Sequence, residues 1–342
     1  MIRVLLVDDS ALMRHVLRDL IEASGDISVA GEASNGLTGC EMNKELRPDL
    51  VVMDIDMPVM DGVAATARIM RERPVPVLVF SASAESPAGF AALEAGARDV
   101  LLKPDIDTLN DEDFRAGFYA RVRGMAGARL SPEPAGFRGL RNGSMVPASA
   151  SRVRAVVIGA STGGPVAVRS LLSALPAGFP VGIALVQHLE DGFDAGYVRW
   201  LGESCKLNVR LADDGTHDLE PGTVTVAPVN RHLVVRNGRL ALDDGPKIGN
   251  QKPAVDALFN TAAAWYGNGL LGALLTGMGR DGADGCKAIV AAGGRTLVQD
   301  QETSAIFGMP KAAIEAGAAT EVLPLQSFAP RLVTLVSGGA AS

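Results

Sequence analysis

The sequence predicts an α/β protein made of two doubly wound, largely parallel sheets joined by a tether. Three observations carry this reading. Short, wholly apolar runs alternate with helix-length amphipathic stretches in both halves of the chain. The stretch 128–151 interrupts the pattern with Pro132, Pro134 and Pro147 among glycines and serines, and has no apolar period. The length of 342 residues suits two domains of roughly 150 each.

In the first part, apolar runs at 2–7, 50–53, 77–80 and 100–102 read as buried parallel strands, with a shorter one around 28–30. Between them, 11–23, 36–46, 63–73 and 88–95 have helical spacing, and 107–125 reads as a closing helix. Five β/α units over residues 1–122 make a five-stranded parallel sheet, with function expected at the carboxyl ends of its strands. Residues 123–152 read as the tether, mildly basic through Arg129, Arg138, Arg141 and Arg152 against Glu133. Over 153–338, strands are expected at 155–158, 182–186, 224–227, 271–275 and 295–298. Arg236-Asn237-Gly238-Arg239, between Leu233-Val234-Val235 and Leu240, predicts a type I′ hairpin, an antiparallel excursion from a parallel core.

A hydrophobic content of 47 % is enough for two packed cores. The net charge of −7, without a basic cluster, argues against nucleic acid as a partner. Cys40, Cys205 and Cys286 are odd in number and widely spaced, which predicts neither a disulfide framework nor a metal site. No apolar run reaches the about 18 residues of a membrane span, and the first strand begins at once. A cytoplasmic protein without membrane insertion is expected.

Asp8 and Asp9 follow the first strand and Asp54 follows the third, so three carboxylates converge on one crevice. Their mutual repulsion is most simply relieved by a hard divalent cation such as Mg²⁺, though paired aspartates after a strand also serve as helix caps. Ser81 and Lys103-Pro104 end the next two strands and add a hydroxyl and an ammonium. These residues, with Met53-Asp54-Ile55-Asp56-Met57-Pro58 and Asp61-Gly62, resemble the receiver domain of bacterial response regulators over residues 1–120. The resemblance implies that Asp54 accepts a phosphoryl group from a histidine kinase. It also implies that Asp8, Asp9 and Asp54 hold Mg²⁺ and that Ser81 and Lys103 contact the phosphoryl oxygens.

In the second part, an apolar strand enters Gly159-Ala160-Ser161-Thr162-Gly163, which fits the G-x-S-x-G turn that lifts a serine hydroxyl clear of a sheet edge. The same glycines could instead cradle a phosphate. A serine nucleophile needs a base. Of the four histidines, His188 stands at a strand end that topology can bring to Ser161; His15 lies in the first helix, His217 in a polar stretch, and His232 opens the hairpin. Asp256, Asp281, Asp284 and Asp300 are all candidates for the carboxylate that orients the base, and spacing does not choose among them.

Ser161-Thr162-Gly163-Gly164, Gln187-His188 and Thr276-Gly277-Met278-Gly279-Arg280-Asp281-Gly282-Ala283 resemble the catalytic domain of chemotaxis protein-glutamate methylesterases. Ala227-Pro228, His232-Leu233, Phe307–Pro310 and Glu315-Ala316-Gly317 extend the likeness over about 154–336, and a receiver in front reproduces the family's domain order. The resemblance implies Ser161 as nucleophile, His188 as general base and acid, and Asp281 as orienting carboxylate, with Thr162 and the Met278 backbone near the oxyanion. It implies hydrolysis of glutamate methyl esters on chemoreceptors and, in the family, deamidation of receptor glutamines. No cofactor is needed for the ester chemistry, and the receiver is expected to cover the cleft until Asp54 is phosphorylated.

Glu190-Asp191 and Ala254 depart from the Pro-Ala and serine of many relatives and are expected to line the cleft and bear on receptor preference. Two other readings remain at this level: a regulator whose second domain binds a nucleotide or a protein at 159–164, and a DNA-binding regulator. The latter is opposed by the acidic charge and by an effector region with no helix-turn-helix.

Overall fold

The computed structural model describes residues 1–84, 86–127 and 153–338. They form two compact units, divided at 130/131. Most of the expected tether lies outside the described residues.

The first unit runs β1 (Ile2–Val7), α1 (Ala11–Glu22), β2 (Ile27–Ala33), α2 (Gly36–Leu46), β3 (Leu50–Asp54), α3 (Gly62–Glu72), β4 (Val77–Ser81), α4 (Pro87–Glu94), β5 (Asp99–Leu102), α5 (Ile106–Asn110) and α6 (Glu112–Ala126). Its sheet is parallel, in the order β2-β1-β3-β4-β5. β3 and β4 are buried throughout, as their unbroken apolar runs require. β2 is longer than the short run suggested, because an edge strand is only half buried and shows a weaker apolar signal. The expected closing helix 107–125 is two helices. Asp111 breaks it with extended backbone, and its carboxylate accepts the Phe114 N–H at 2.8 Å to start the second.

The second unit contains β6 (Ala155–Ala160), α7 (Gly164–Ser173), β7 (Ile183–Gln187), α8 (Phe193–Ser204), β8 (Asn208–Leu211), β9 (Thr223–Val226), β10 (His232–Arg236), β11 (Arg239–Asp243), α9 (Val255–Tyr266), β12 (Leu270–Leu274), α10 (Ala283–Ala291), β13 (Arg295–Gln299), α11 (Met309–Glu315), β14 (Glu321–Leu323) and α12 (Phe328–Val336). Seven parallel strands follow the order β14-β13-β12-β6-β7-β9-β8. The outermost, β8 and β14, were not expected: they are short and not fully buried, so neither carries an apolar run. β10 and β11 form the antiparallel hairpin, and Asn237 and Gly238 adopt φ of 52° and 80°, as a type I′ turn demands.

Strand order reverses at β6, which lies between β12 and β7. In a doubly wound sheet such a reversal opens a crevice at the carboxyl edge. Ser161 follows β6, His188 follows β7, and the loop carrying Asp281 follows β12. α9 packs on this sheet through Val255, Leu258, Phe259, Ala262 and Ala263, all buried, which fixes the position of its N-terminus at the same edge.

Candidate active site

The Ser161 turn is held from both sides. Ser161 N–H donates to Thr276 O at 3.0 Å, and His188 N–H donates to Ala160 O at 3.0 Å, so the ends of β12, β6 and β7 are stitched together where the polar residues begin. Gly163 has φ of 75°, and a Cβ there would lie 2.3 Å from Ala305 Cβ; only glycine fits. The turn launches α7 with no side-chain cap. Among the described residues, no acceptor takes the N–H of Thr162 or of Met278. Unspent donors beside a serine at a helix N-terminus are suited to a developing oxyanion.

Of the four candidate aspartates, Asp281 alone reaches His188. His188 Nε2 lies 2.9 Å from Asp281 Oδ2, with Asp281 buried and the His188 side chain 9 % exposed. Asp284 pairs with Arg280 on the surface, Asp300 caps its own turn through Thr303 N–H, and Asp256 accepts Gly285 N–H at 2.6 Å. Asp281 also accepts Val255 N–H at 2.7 Å and Asp256 N–H at 2.9 Å, thereby capping α9. Burial alone would raise its carboxyl, but the His188 hydrogen bond and charge, with these two N–H groups, outweigh it and hold the pKa below the ordinary value. An ionised Asp281 can only accept, so Nε2 carries the imidazole proton. Nδ1, buried and without a hydrogen-bond partner, then has a free lone pair.

Asp256 behaves in the opposite way. Burial, reinforced by the charges of Asp281 and Asp284, raises its carboxyl to about 6 against the Gly285 hydrogen bond.

Three residues that support the site, Gln187, Thr276 and Gln299, had no role assigned from the sequence. Gln187, 1 % exposed, donates from Nε2 to Ser161 O at 2.8 Å and to His188 O at 2.9 Å, spanning the two polar strand ends. Thr276 donates its hydroxyl to Thr162 O at 3.0 Å and is itself held by Gln299. Polar residues that close the apolar runs 183–186 and 297–298 were the visible signal for Gln187 and Gln299. Asp256 had been weighed only as an orienter, and His232 only as the start of a hairpin. Ala254 was expected to line the cleft, but it is fully buried as the N-cap of α9. Asp191 is exposed beyond His188 and Glu190 is half buried.

In the first unit, Asp8, Asp9 and Asp54 offer oxygens within 4.8 Å of one another. Asp8 and Asp54 are buried and Asp9 is exposed. Lys103 Nζ lies 2.7 Å from Asp8 Oδ2 and 2.8 Å from Asp54 Oδ2. The first contact is an ion pair without a well-directed hydrogen bond, which leaves Asp8 Oδ2 buried and under-satisfied. Three converging hard oxygen donors, one of them short of a partner, fit a hard divalent cation. Burial and the Asp8 charge raise the Asp54 carboxyl despite Lys103. Ser81 is buried at the end of β4, and its hydroxyl donates to Ser83 O at 2.8 Å.

Comparison with known proteins decides the family. The CheB methylesterase family model matches residues 156–332 and the response regulator receiver domain model matches residues 4–112. The chain belongs to the CheB methylesterase family. It is 46 % identical over 327 residues to the protein-glutamate methylesterase/protein-glutamine glutaminase 2 of Anaeromyxobacter dehalogenans, covering 96 % of this chain and 95 % of that protein. A family member from Pyrococcus abyssi is 38 % identical, covering 99 % and 95 % of the two chains. The crystal structure of the Thermotoga maritima CheB methylesterase catalytic domain matches at 39 % identity and a TM-score of 0.52, covering 54 % of this chain and 99 % of that one. No described helix is long and apolar enough to cross a membrane.

Proposed function

We propose that the chain is a protein-glutamate methylesterase, and in the same site a protein-glutamine glutaminase, whose rate is set by phosphorylation of Asp54. The observation that carries the chemistry is the His188–Asp281 contact of 2.9 Å at the strand end beside Ser161. The family names of its relatives supply the substrate class.

Ser161 Oγ attacks the γ-carbonyl carbon of a methylated receptor glutamate while His188 Nδ1 takes its proton. Asp281 keeps the proton on Nε2 and stabilises the imidazolium that results. The N–H groups of Thr162 and Met278 face the oxyanion. Collapse breaks the C–O bond to the methoxy group, which leaves as methanol with the proton from His188. Water, deprotonated by the same imidazole, then releases the acyl group as a glutamate carboxylate. An amide enters the same sequence with ammonia as the leaving group.

In the receiver unit, Asp54 takes the phosphoryl group from a histidine kinase, and Lys103 and Ser81 contact its oxygens. Asp8, Asp9 and Asp54 would hold Mg²⁺, which would supply positive charge to offset that on the transferring group. Phosphorylation adds charge and acceptor oxygens at Asp54 and so relieves a restraint that the receiver places on the esterase.

The test is methanol release from methylated receptor membranes by the full chain, with and without Mg²⁺ and acetyl phosphate. Ser161→Ala is expected to lower turnover by roughly 10⁴–10⁶-fold. Unchanged release by that variant would sink the reading.

A further inference from the structure

His232 is the one buried histidine for which the proposed chemistry has no use. It is 2 % exposed, at the first position of β10. Both ring nitrogens are engaged with backbone groups of opposite polarity. Ala254 N–H donates to Nδ1 at 3.1 Å, and Nε2 lies 3.0 Å from Pro246 O, which can only accept. The ring is therefore neutral, with its proton on Nε2. It ties the loop after β11 to the residue that opens α9.

That residue is the N-cap of α9, and in this chain it is Ala254, which has no side-chain oxygen to offer the helix. The next two amides, Val255 N–H and Asp256 N–H, are the two that hold the Asp281 carboxylate. The sequence of contacts thus runs from His232 to Ala254 N–H, through the first turn of α9 to Asp281, and on to His188 Nε2. A carboxylate gripped by two amides of one helix turn takes its orientation from that turn. A turn whose cap lacks its own hydroxyl takes its orientation from what grips the cap.

We propose that His232 is a positioning residue for ester hydrolysis, setting the orientation of Asp281, and through it His188, by clamping Ala254 N–H at the start of α9. The proposal rests on the reading of Asp281 as the group that orients His188. His232 touches no substrate. Its loss should appear in kcat, and only while Asp281 can do its work.

The experiment is a double-mutant cycle on the full chain, following tritiated methanol from methylated receptor membranes with Mg²⁺ and acetyl phosphate present. His232→Leu, similar in bulk and without ring nitrogens, is expected to lower kcat by about tenfold with KM changed by less than about twofold. In an Asp281→Asn background the same substitution should cost less than about twofold, because residues acting through one another are not additive. His232→Gln, whose amide can accept from Ala254 and donate to Pro246, should restore most of the rate. If His232→Leu does not fold, as judged by its thermal melt, the cycle is run with His232→Asn, which is too short to span both partners.

An unchanged kcat, a loss confined to KM, or an equal loss in both backgrounds would overturn the proposal. Full activity of Asp281→Asn alone would instead sink the reading of the site, so the two failures are distinguishable.

Discussion

Two aspartates in contact with one helix turn divide the work at the site because of what donates to each. Asp281 accepts from His188 and two amides and is held ionised. Asp256 accepts one amide, sits beside that charge and is raised to about 6. The sign for stability follows. Above about pH 6 the folded chain carries a buried Asp256 charge that the unfolded chain carries in water, so the group opposes folding. As pH falls from 6 toward the ordinary 3.8, the folded form takes the proton first and the penalty fades. Asp256→Asn keeps the acceptor for Gly285 N–H and removes the charge. It should stabilise the second unit at pH 8 by about 1–2 kcal/mol after allowance for solvent screening, and by almost nothing near pH 4. Thermal melts at the two pH values test this, and a variant less stable at pH 8 would contradict it. Ser161 and Asp54 were legible as residues because each follows an apolar strand in a distinctive pattern. By spacing alone Asp281 was one of four candidates, since no spacing reveals which loop returns to His188; the family resemblance singled it out.

The helices of the two units start differently, and that difference decides what the sequence reveals about them. α1, α2, α3, α4 and α6 are capped by their own Ser10, Asn35, Asp61, Ser86 and Asp111. Such caps lie next to the apolar period they start and can be read directly. α7 has no side-chain cap, while α9 and α10 are capped by Asp281 and Asp256, each from the other's neighbourhood. These partners stand 25–29 residues apart in sequence, so the exchange is invisible until the fold brings the helix ends together. At the other site, α3 begins where no side chain fits. A Cβ on Gly62 would lie 2.1 Å from Asp54 O and 2.9 Å from Ile55 Cα. Gly62→Ala must therefore displace the backbone of Asp54, the proposed phosphoacceptor. It should cost about 2–3 kcal/mol in the first unit and weaken the response to acetyl phosphate. A melt and a phosphodonor response equal to the parent's would show that the loop yields more easily than this contact implies.

On the scale of the whole chain, the two units present separate chemistries. One gathers carboxylates and a lysine, suited to phosphoryl transfer. The other carries a His–Asp pair beside a serine turn, with no carboxylate cluster among the described residues that could hold a metal. If Mg²⁺ serves only phosphoryl transfer at Asp8, Asp9 and Asp54, it bears on the rate only through the receiver. Chelation with EDTA is expected to abolish the rise in methanol release on adding acetyl phosphate and to leave the Ser161-dependent basal release intact. Asp54→Asn should do the same with Mg²⁺ present. If the receiver acts as a restraint, a fragment of residues 153–342 should exceed the unphosphorylated full chain and ignore both Mg²⁺ and acetyl phosphate. That such a fragment folds is supported by the crystal structure of the isolated Thermotoga maritima catalytic domain, 99 % of which is matched here. A fragment no faster than the resting chain, alongside a full chain that still responds to acetyl phosphate, would point to phosphorylation as an activator in its own right. Basal release lost on chelation would overturn the assignment of the metal to the receiver alone.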